Sequence, residues 1–281
     1  MPTFPTPGPI DLAINLPVGA IEIIASDRVD TVVTVSPTNP DKAVDRRGAE
    51  ETTVEFDGER LVIKGPRPRF SIIGPSESVD VTVELPAGSR LAAETSVGLV
   101  RARGRLGATR IKASHADLDT TGDLWIRAMH GNVEVGTADG DVEITADHGQ
   151  IRIGTVTGDA LLKASHGMVA IGTASGDVDA RLSYGDLEIG TAEASITAKT
   201  AFGTVRVGEV ASGTVQLDTA FGQVDVGVRA GVSAWLDLAS KNGRVRNDLT
   251  ADQAPSATDS TVAVRARTDF GEITITRGIA K

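Results

Sequence analysis

A ring-bearing residue followed by glycine recurs at one constant interval through the centre of the chain. One later step is a single residue longer, and the step from His115 to His130 is shorter than the rest. A fixed period of about 18 residues indicates one structural unit repeated many times along the chain. The regular pairs are His130-Gly131, His148-Gly149, His166-Gly167, Tyr184-Gly185, Phe202-Gly203 and Phe221-Gly222, and the outlying members are Val97-Gly98, His115-Ala116, Asn242-Gly243 and Phe270-Gly271.

Each repeat divides into two segments of about nine residues in which apolar side chains alternate with polar ones. Val133 and Val135 illustrate the first segment, and Val142 and Ile144 the second. Alternation with a period of two is typical of a strand that buries one face. Glycine, aspartate, threonine and serine separate the segments and favour turns. No window shows a sustained helical period, so the sequence predicts an almost entirely β protein.

A β-solenoid accounts best for strands at this spacing. Propeller blades need about 40 residues per repeat, and a sandwich has no reason to keep one register over many units. In a solenoid, equivalent residues of successive coils lie about 4.8 Å apart. The chain has 40% hydrophobic but only 3% aromatic residues, which suits a narrow core of small aliphatic side chains. Coils with two faces or with three both remain possible.

The solenoid is predicted to have an irregular beginning. Residues 1–95 contain the same alternation with uneven spacing, and we interpret them as an N-terminal β region, or cap, continuous with the repeats. Residues 96–281 carry the repeats, with regular coils to about 249 and a final coil after 261. Loops are predicted at 67–78 and 250–261.

Composition bounds the partners and the location. A formal net charge of −10 argues against nucleic acid and anionic membrane as partners. The chain has no cysteine, so thiol chemistry and disulfides are excluded. The N-terminus lacks a basic region followed by an apolar run, and no stretch of about 18 apolar residues occurs. We therefore expect a cytoplasmic protein that does not insert into a membrane.

Several segments resemble a bacterial family. The "LPAGSRL" segment at 85–91, the many Gly-x-Val-x-Val units and corners such as "GTASGDV" at 172–178 are similar to the β-strand-repeat family called domain of unknown function 4097, which is also labelled as proposed adhesins. The resemblance implies a right-handed β-helix, links of some relatives to cell-envelope stress operons, and no catalytic residues to carry over. A looser resemblance is to bactofilins, whose β-helices join end to end.

All four histidines occupy one repeat position, which aromatic residues continue. Stacked imidazoles could bind a transition metal or respond to pH. The alternative is a structural column of flat rings that stack and shelter the strand end, and we favour it because tyrosine and phenylalanine replace histidine there. The position also shares parity with the inward residues Val142 and Ile144. The column comprises His115, His130, His148, His166, Tyr184, Phe202 and Phe221.

Two further columns are polar. A carboxylate column could bind Ca²⁺, but the glycine pattern differs from that of calcium-binding β-rolls, so we expect these side chains to accept turn N–H groups instead. A threonine column is expected to form hydrogen bonds along the solenoid. No metal or cofactor is expected. The columns are Asp123, Asp141, Asp159 and Asp177, and Thr137, Thr155, Thr173 and Thr191.

The favoured function is a non-catalytic β-solenoid scaffold or protein-interaction module of a bacterial cell. Self-assembly and association with the envelope are additional hypotheses. An adhesin or carbohydrate-binding β-helix is the first alternative and would use exposed aromatic side chains, of which Trp125, Trp235 and Tyr184 are available. A polysaccharide-active β-helix enzyme is the second alternative and would need clustered carboxylates in a groove.

Overall fold

The computed structural model describes residues 2–66, 77–249 and 260–278. The chain divides into unit 1, Met1–Thr137, and unit 2, Ala138–Lys281. Most of each loop predicted at 67–78 and 250–261 lies outside the described residues. The fold is nearly all β and solenoid-like, with parallel strands winding round an axis, which confirms the predicted class.

Unit 1 combines strands of three to eight residues with two strands of 16 residues each. Its two longest strands bend at glycines, where the backbone of Gly19 has a φ of 138°. The elements are β1 Thr3–Pro5, β2 Asp11–Ser26, β3 Asp30–Pro37, α1 Ala43–Glu51, β4 Thr53–Phe56, β5 Arg60–Lys64, β6 Val79–Pro86, β7 Arg90–Arg105, β8 Thr109–Ala113, β9 His115–Thr121, β10 Leu124–His130 and β11 Val133–Ala138, the last of which crosses the unit boundary.

The first six strands of unit 1 pair in both orientations, and β2 is parallel to β5 and β6. β1 pairs with β3, β3 with β6, and β4 with β5, all antiparallel. β2 then pairs in parallel with β7 from Asp11 opposite Arg90 to Ile24 opposite Arg103. β7 continues in parallel with β8 and β9, and β8 with β10. The antiparallel pairing is confined to the first six strands.

Helix α1 was not predicted from the sequence. The side chain of Asp45 is only 3% exposed, and its carboxylate accepts the backbone N–H groups of Asn39 and Ser78. Gly48 is also buried, against Glu77 and Val79. The segment has few apolar residues, so no helical period is visible, and the helix depends on these contacts with neighbouring segments.

Unit 2 consists of coils with two strands each. In the regular part the first strand of a coil has seven residues and the second has six. The strands are β12 Val142–His148, β13 Ile151–Val156, β14 Ala160–His166, β15 Val169–Ala174, β16 Val178–Tyr184, β17 Leu187–Ala192, β18 Ile196–Phe202, β19 Val205–Val210, β20 Gly213–Phe221, β21 Val224–Val228, β22 Ser233–Asn242, β23 Val245–Asn247, β24 Thr261–Phe270 and β25 Ile273–Arg277.

Parallel pairing in strict register builds the core of unit 2. Even-numbered strands from β12 to β20 pair in one series, and odd-numbered strands from β13 to β21 pair in another. One inward column contains Ile153, Ile171, Ile189 and Val207, each at most 3% exposed. Full burial of one such side chain stabilises the fold by about 1.5–3 kcal/mol. The constant repeat therefore places aliphatic residue on aliphatic residue in every coil.

The last two coils are reversed relative to chain order. The C-terminal coil, β24 and β25, pairs with β20 and β21, whereas β22 and β23 pair with the far side of that coil. The coil expected after residue 261 is present as β24 and β25, but it lies between two earlier coils, an order that the sequence did not reveal. Ring stacking favours the observed order, because Phe270 stacks on Phe221, a contact that Asn242 at the equivalent position could not make.

Candidate functional site

Six rings of unit 2 form a continuous stack at one corner of the coils, which we call the ring ladder. Ring centroids of neighbours are 4.8–5.1 Å apart and their planes are inclined by 2–7°. The spacing between paired strands sets this distance, and it lies in the range of offset stacking. The ring ladder comprises His148, His166, Tyr184, Phe202, Phe221 and Phe270.

The ring ladder is exposed, although its parity along the strand is that of the inward residues. Tyr184 is 50% exposed, Phe202 42% and Phe270 50%. Each ring immediately precedes a corner glycine with positive φ, such as Gly185 at 149°, so the chain leaves the strand geometry before the ring can point into the core. The inward orientation suggested by parity was therefore wrong. The ring faces cover one another, and their edges face solvent.

The start of the histidine column lies in unit 1 and is irregular. The β8–β10 register places Ala113 opposite Ala128, as the shortened step between His115 and His130 requires. The register between β7 and β9 places Leu99 opposite His115, so the predicted equivalence of Val97 with His115 was wrong by two residues. Cε1 of His115 lies only 2.6 Å from where a Cβ on Gly131 would be. This imidazole therefore packs beneath the corner that follows His130.

Exchange of one ladder imidazole for a phenyl ring tests whether the histidines act as stacking rings. His166 is exposed and stacks on both His148 and Tyr184. We expect His166→Phe to leave the free energy of unfolding unchanged or to raise it by up to about 1 kcal/mol, and His166→Ala to lower it by about 1–2 kcal/mol, since two stacked pairs are lost. Urea denaturation of both variants measures this. A loss with phenylalanine equal to that with alanine would instead indicate a polar role.

The aspartate column connects successive coils. In unit 2 a carboxylate oxygen of Asp141 accepts the backbone N–H of Asp159 at 2.9 Å, and Asp159 does the same for Asp177. Asp177 then accepts the N–H of Ser195 at 2.9 Å. The sequence predicted acceptance from turn N–H groups, and the donors belong to the equivalent turn of the next coil. In unit 1, Asp123 accepts the N–H of Thr109 through its backbone carbonyl.

The threonine column lies half-buried near the ends of the second strands. Thr155 is aligned with Thr173, and Thr173 with Thr191. The next position along is Glu209, whose carboxylate is bound by an arginine from a later coil. The column therefore ends in a charged cluster that the repeat pattern did not reveal.

That cluster joins three coils through one guanidinium. Arg229 binds Glu193 with two nitrogens, at 2.7 and 2.9 Å, and Glu209 through Nε at 2.6 Å. The hydrogen bonds from Arg229 lower the pKa of Glu193, and those to both carboxylates raise the pKa of Arg229. A lowered folded-state pKa means that the contribution of Glu193 to stability is present at neutral pH. It is lost as the pH falls through that value.

A second charged cluster lies in unit 1. Arg103 binds Asp117 and Asp119 at 2.8 Å each, and Asp119 also accepts the N–H of Gly104. That backbone hydrogen bond, followed by the one from Arg103, lowers the pKa of Asp119. Both clusters thus pair carboxylates with arginine.

Unit 1 also has a groove of about 600 Å³ on the outer face of its sheet. Ala13 and Ala92 contribute small side chains to its lining, and Lys112 contributes a charged one. The ammonium group of Lys112 lies 3.5 Å from Glu94, which also lines the groove. This cation is therefore compensated within the groove itself.

The tryptophans are separate from the ring ladder. The guanidinium carbon of Arg110 lies 3.6 Å from the centroid of Trp125 and covers one of its faces. Trp235 is 69% exposed and lies on β22. Within the described ranges, no group of three or more histidine, aspartate or glutamate side chains could hold a metal ion. None of the described helices is long and apolar enough to cross a bilayer.

One ladder member, Phe270, was not included among the predicted site residues. The Phe270-Gly271 pair is visible in the sequence. However, it is separated from Phe221 by much more than one repeat, so the repeat period did not identify Phe221 as its stacking partner. The ion clusters were missed because a single sequence carries no signal for side chains paired 20 or 36 residues apart, as in Arg229 with Glu209 and Glu193.

Comparisons with solved structures gave loose matches of low identity. A proposed adhesin from Bacteroides fragilis is 11% identical, with 98% of this chain and 95% of that one covered and a TM-score of 0.35. A proposed lipid-binding protein from Parabacteroides distasonis is 10% identical, with 98% and 96% covered and a TM-score of 0.42. A proposed cell-adhesion protein from Clostridium sporogenes is 12% identical, with 98% of each chain covered and a TM-score of 0.20. A search of curated proteins found no match.

The comparison with protein-family models gave a match over most of the chain. The family model described as Toastrack DUF4097 matches residues 11–276, which include every regular coil and most of the irregular N-terminal region. The resemblance noted from the corner and strand motifs is thereby confirmed, whereas the looser likeness to bactofilins stays a prediction. Since the match spans nearly the whole chain, the protein belongs to the Toastrack DUF4097 family.

Proposed function

We propose that this protein is a non-catalytic interaction module that binds a protein partner along the ring ladder. The observation that carries the proposal is the exposure of a continuous row of ring edges, from His148 to Phe270, on a rigid set of paired strands. Exposed apolar side chains in a contiguous row are typical of interaction surfaces.

The recurring polar side chains support a structural role rather than a chemical one. Carboxylates of the aspartate column accept backbone N–H groups of the following coil. Glu193 and Glu209 are bound by Arg229. Carboxylates bound in this way hold neighbouring coils together. A general acid or base would instead need a carboxylate that can reach a substrate.

The orientation of the rings favours a protein over a carbohydrate. Sugars bind by lying flat on an aromatic face, but both faces of Tyr184 are covered by His166 and Phe202. The exposed ring edges carry partial positive charge and suit an apolar groove that also offers carbonyl or carboxylate oxygens. The net charge of −10 argues against nucleic acid.

Site-specific photo-crosslinking in the native cell tests this function. We expect a photoreactive phenylalanine analogue at Tyr184 or at Phe202 to capture the same protein. The analogue at Ser175, which is also exposed but lies in the turn between β15 and β16, at the end of β16 opposite Tyr184, serves as the matched control and is expected to capture none of it.

The captured protein is then purified and titrated against the full chain. Because the rings of the ladder are expected to fill the groove of the partner, Phe202→Ser should weaken binding at least about tenfold, which corresponds to 1.4 kcal/mol. Equal capture at all three positions, or unchanged affinity of Phe202→Ser, would refute the proposed surface. A glycan bound at Tyr184 would support the carbohydrate alternative.

A further inference from the structure

One end of unit 2 differs from every coil within it. The coil made of β22 and β23 pairs with β24 and β25 on one side only, as far as the described residues extend. The ten residues of β22 therefore present a row of backbone N–H and C=O groups on their outer side. Such an edge can pair with another strand.

The apolar side chains of this coil are only partly covered. Leu236 and Leu238 are half-buried, whereas their register partners in β24, Val264 and Ala266, are fully buried. Val245 on β23 is 46% exposed. The end of unit 2 thus leaves apolar side chains of both strands partly exposed, where a further coil would bury them.

The segment that connects β23 to β24 is poor in large apolar side chains. Residues 250–259 contain alanine and proline but no larger apolar residue. These small side chains cannot replace a coil that would bury two leucines and a valine.

The charges of β22 suit pairing with a copy of itself. Asp237 and Lys241 both alternate with the inward leucines and lie four residues apart. Each already has a partner on β24, since Asp237 pairs with Arg267 at 2.8 Å and Lys241 with Asp269 at 2.7 Å. If two copies of β22 pair in antiparallel orientation about Ala239, each Asp237 lies opposite Lys241 of the other copy, which extends these ion pairs into a row of alternating charges. Opposite charges at directly facing positions stabilise a strand pair. A register about Asp237 would instead place two carboxylates together.

We infer that the coil of β22 and β23 is a self-association surface through which two copies of this chain form a head-to-head dimer. The contact is isologous, so it closes after two copies. The short strands at the beginning of unit 1, of three residues in β1 and four in β4, offer no comparable edge. This surface adjoins the end of the ring ladder, where Asn242 lies opposite Phe270, but the inference does not depend on the proposed function.

The size of the surface sets the expected affinity. A standard interface uses about 20–30 residues of each partner, and the end coil supplies only residues 233–247 together with parts of the coil beneath. We therefore expect a dimer with a dissociation constant in the micromolar range. Sedimentation velocity of the full chain, from low micromolar to near-millimolar concentration, should show conversion of monomer to dimer.

The variant Leu238→Lys places a charge on the end surface. It is expected to raise the dissociation constant of the dimer at least about tenfold, while circular dichroism verifies that the coils remain folded. A wild-type protein that is monomeric at every concentration would overturn the inference. Filaments in place of a dimer would also overturn it, because they require a head-to-tail contact.

A cysteine-free chain allows a second test that does not depend on how well Leu238→Lys folds. Ala239 on β22 and Ala220 on β20 are both half-buried alanines. With a short bismaleimide, Ala239→Cys is expected to give a covalent dimer and Ala220→Cys to stay monomeric. Equal cross-linking of both variants would show that the outer faces associate side by side, and no cross-linking of Ala239→Cys would show that the end is not paired. Either result contradicts the inference.

Discussion

Replacement of Gly185 by alanine is expected to lower the free energy of unfolding by about 3 kcal/mol or more. Gly185 forms the corner after Tyr184 with a φ of 149°, a conformation that residues with a Cβ rarely adopt. A Cβ there would also overlap the carbonyl oxygen of Gly167 in the preceding coil. That coil is fixed by its own neighbours and cannot withdraw alone, so the corner and the ring stack beside it should both be disturbed.

Gly231 provides a control that separates the two effects. Its φ of 80° is also positive, but no atom lies within 4 Å of where its Cβ would be. Gly231→Ala should therefore lower stability only by the backbone strain, about 1–2 kcal/mol. Urea denaturation of both variants makes the comparison. Equal losses would mean that the coils separate easily to admit a methyl group at Gly185.

The sequence predicts the regular coils because one local pattern determines them. Alternation in each strand selects the buried face, and the constant period places Ile171 beneath Ile189 and Val207. Each regular coil packs against a coil with the same sequence pattern. No contact between dissimilar, distant segments therefore has to be predicted. The register, the strand assignment and the aliphatic core of these coils all follow from residues within one repeat.

Features that depend on distant residues escape this reasoning. The helix α1 is held by hydrogen bonds from Asn39 and Ser78 to Asp45, and its own composition gives no sign of them. The order of the last coils likewise depends on Phe270 reaching Phe221 past the whole of β22 and β23. A repeat pattern shows which segments form coils, but it does not show the order in which those coils stack.

The sequence predicted that the rings of the candidate site form a column, but it did not predict that this column is exposed. The common position of His166 and Tyr184 indicates stacking, which the structure shows at 5.1 Å. Their exposure depends on where the strand ends, and parity alone would direct them inward. The corner glycine decides this, since its positive φ turns the chain away from the pleat. The solenoid thus excludes its largest rings from a core too narrow to hold them.

Ile189→Asp is expected to lower the free energy of unfolding by about 3–5 kcal/mol at neutral pH, because it leaves a buried carboxylate without a partner. Ile189 is fully buried and lies between Ile171 and Val207. The surrounding side chains are aliphatic and offer no donor. Chemical denaturation of the full chain measures the loss, and Ile189→Val should lose only about 0.5–1.5 kcal/mol, as for one methylene group.

The pH dependence of that loss distinguishes a buried charge from a lost side-chain volume. Burial raises the pKa of a carboxyl group, since the neutral acid is less costly to bury than the carboxylate. Stability of Ile189→Asp should therefore improve relative to the wild type as the pH falls from neutral to mildly acidic. Ile189→Asn has a similar shape but no charge to lose, so its deficit should stay constant over the same range. If the aspartate variant behaved like the asparagine variant, its carboxylate would have reached solvent, and residue 189 could not belong to the closed core of the solenoid.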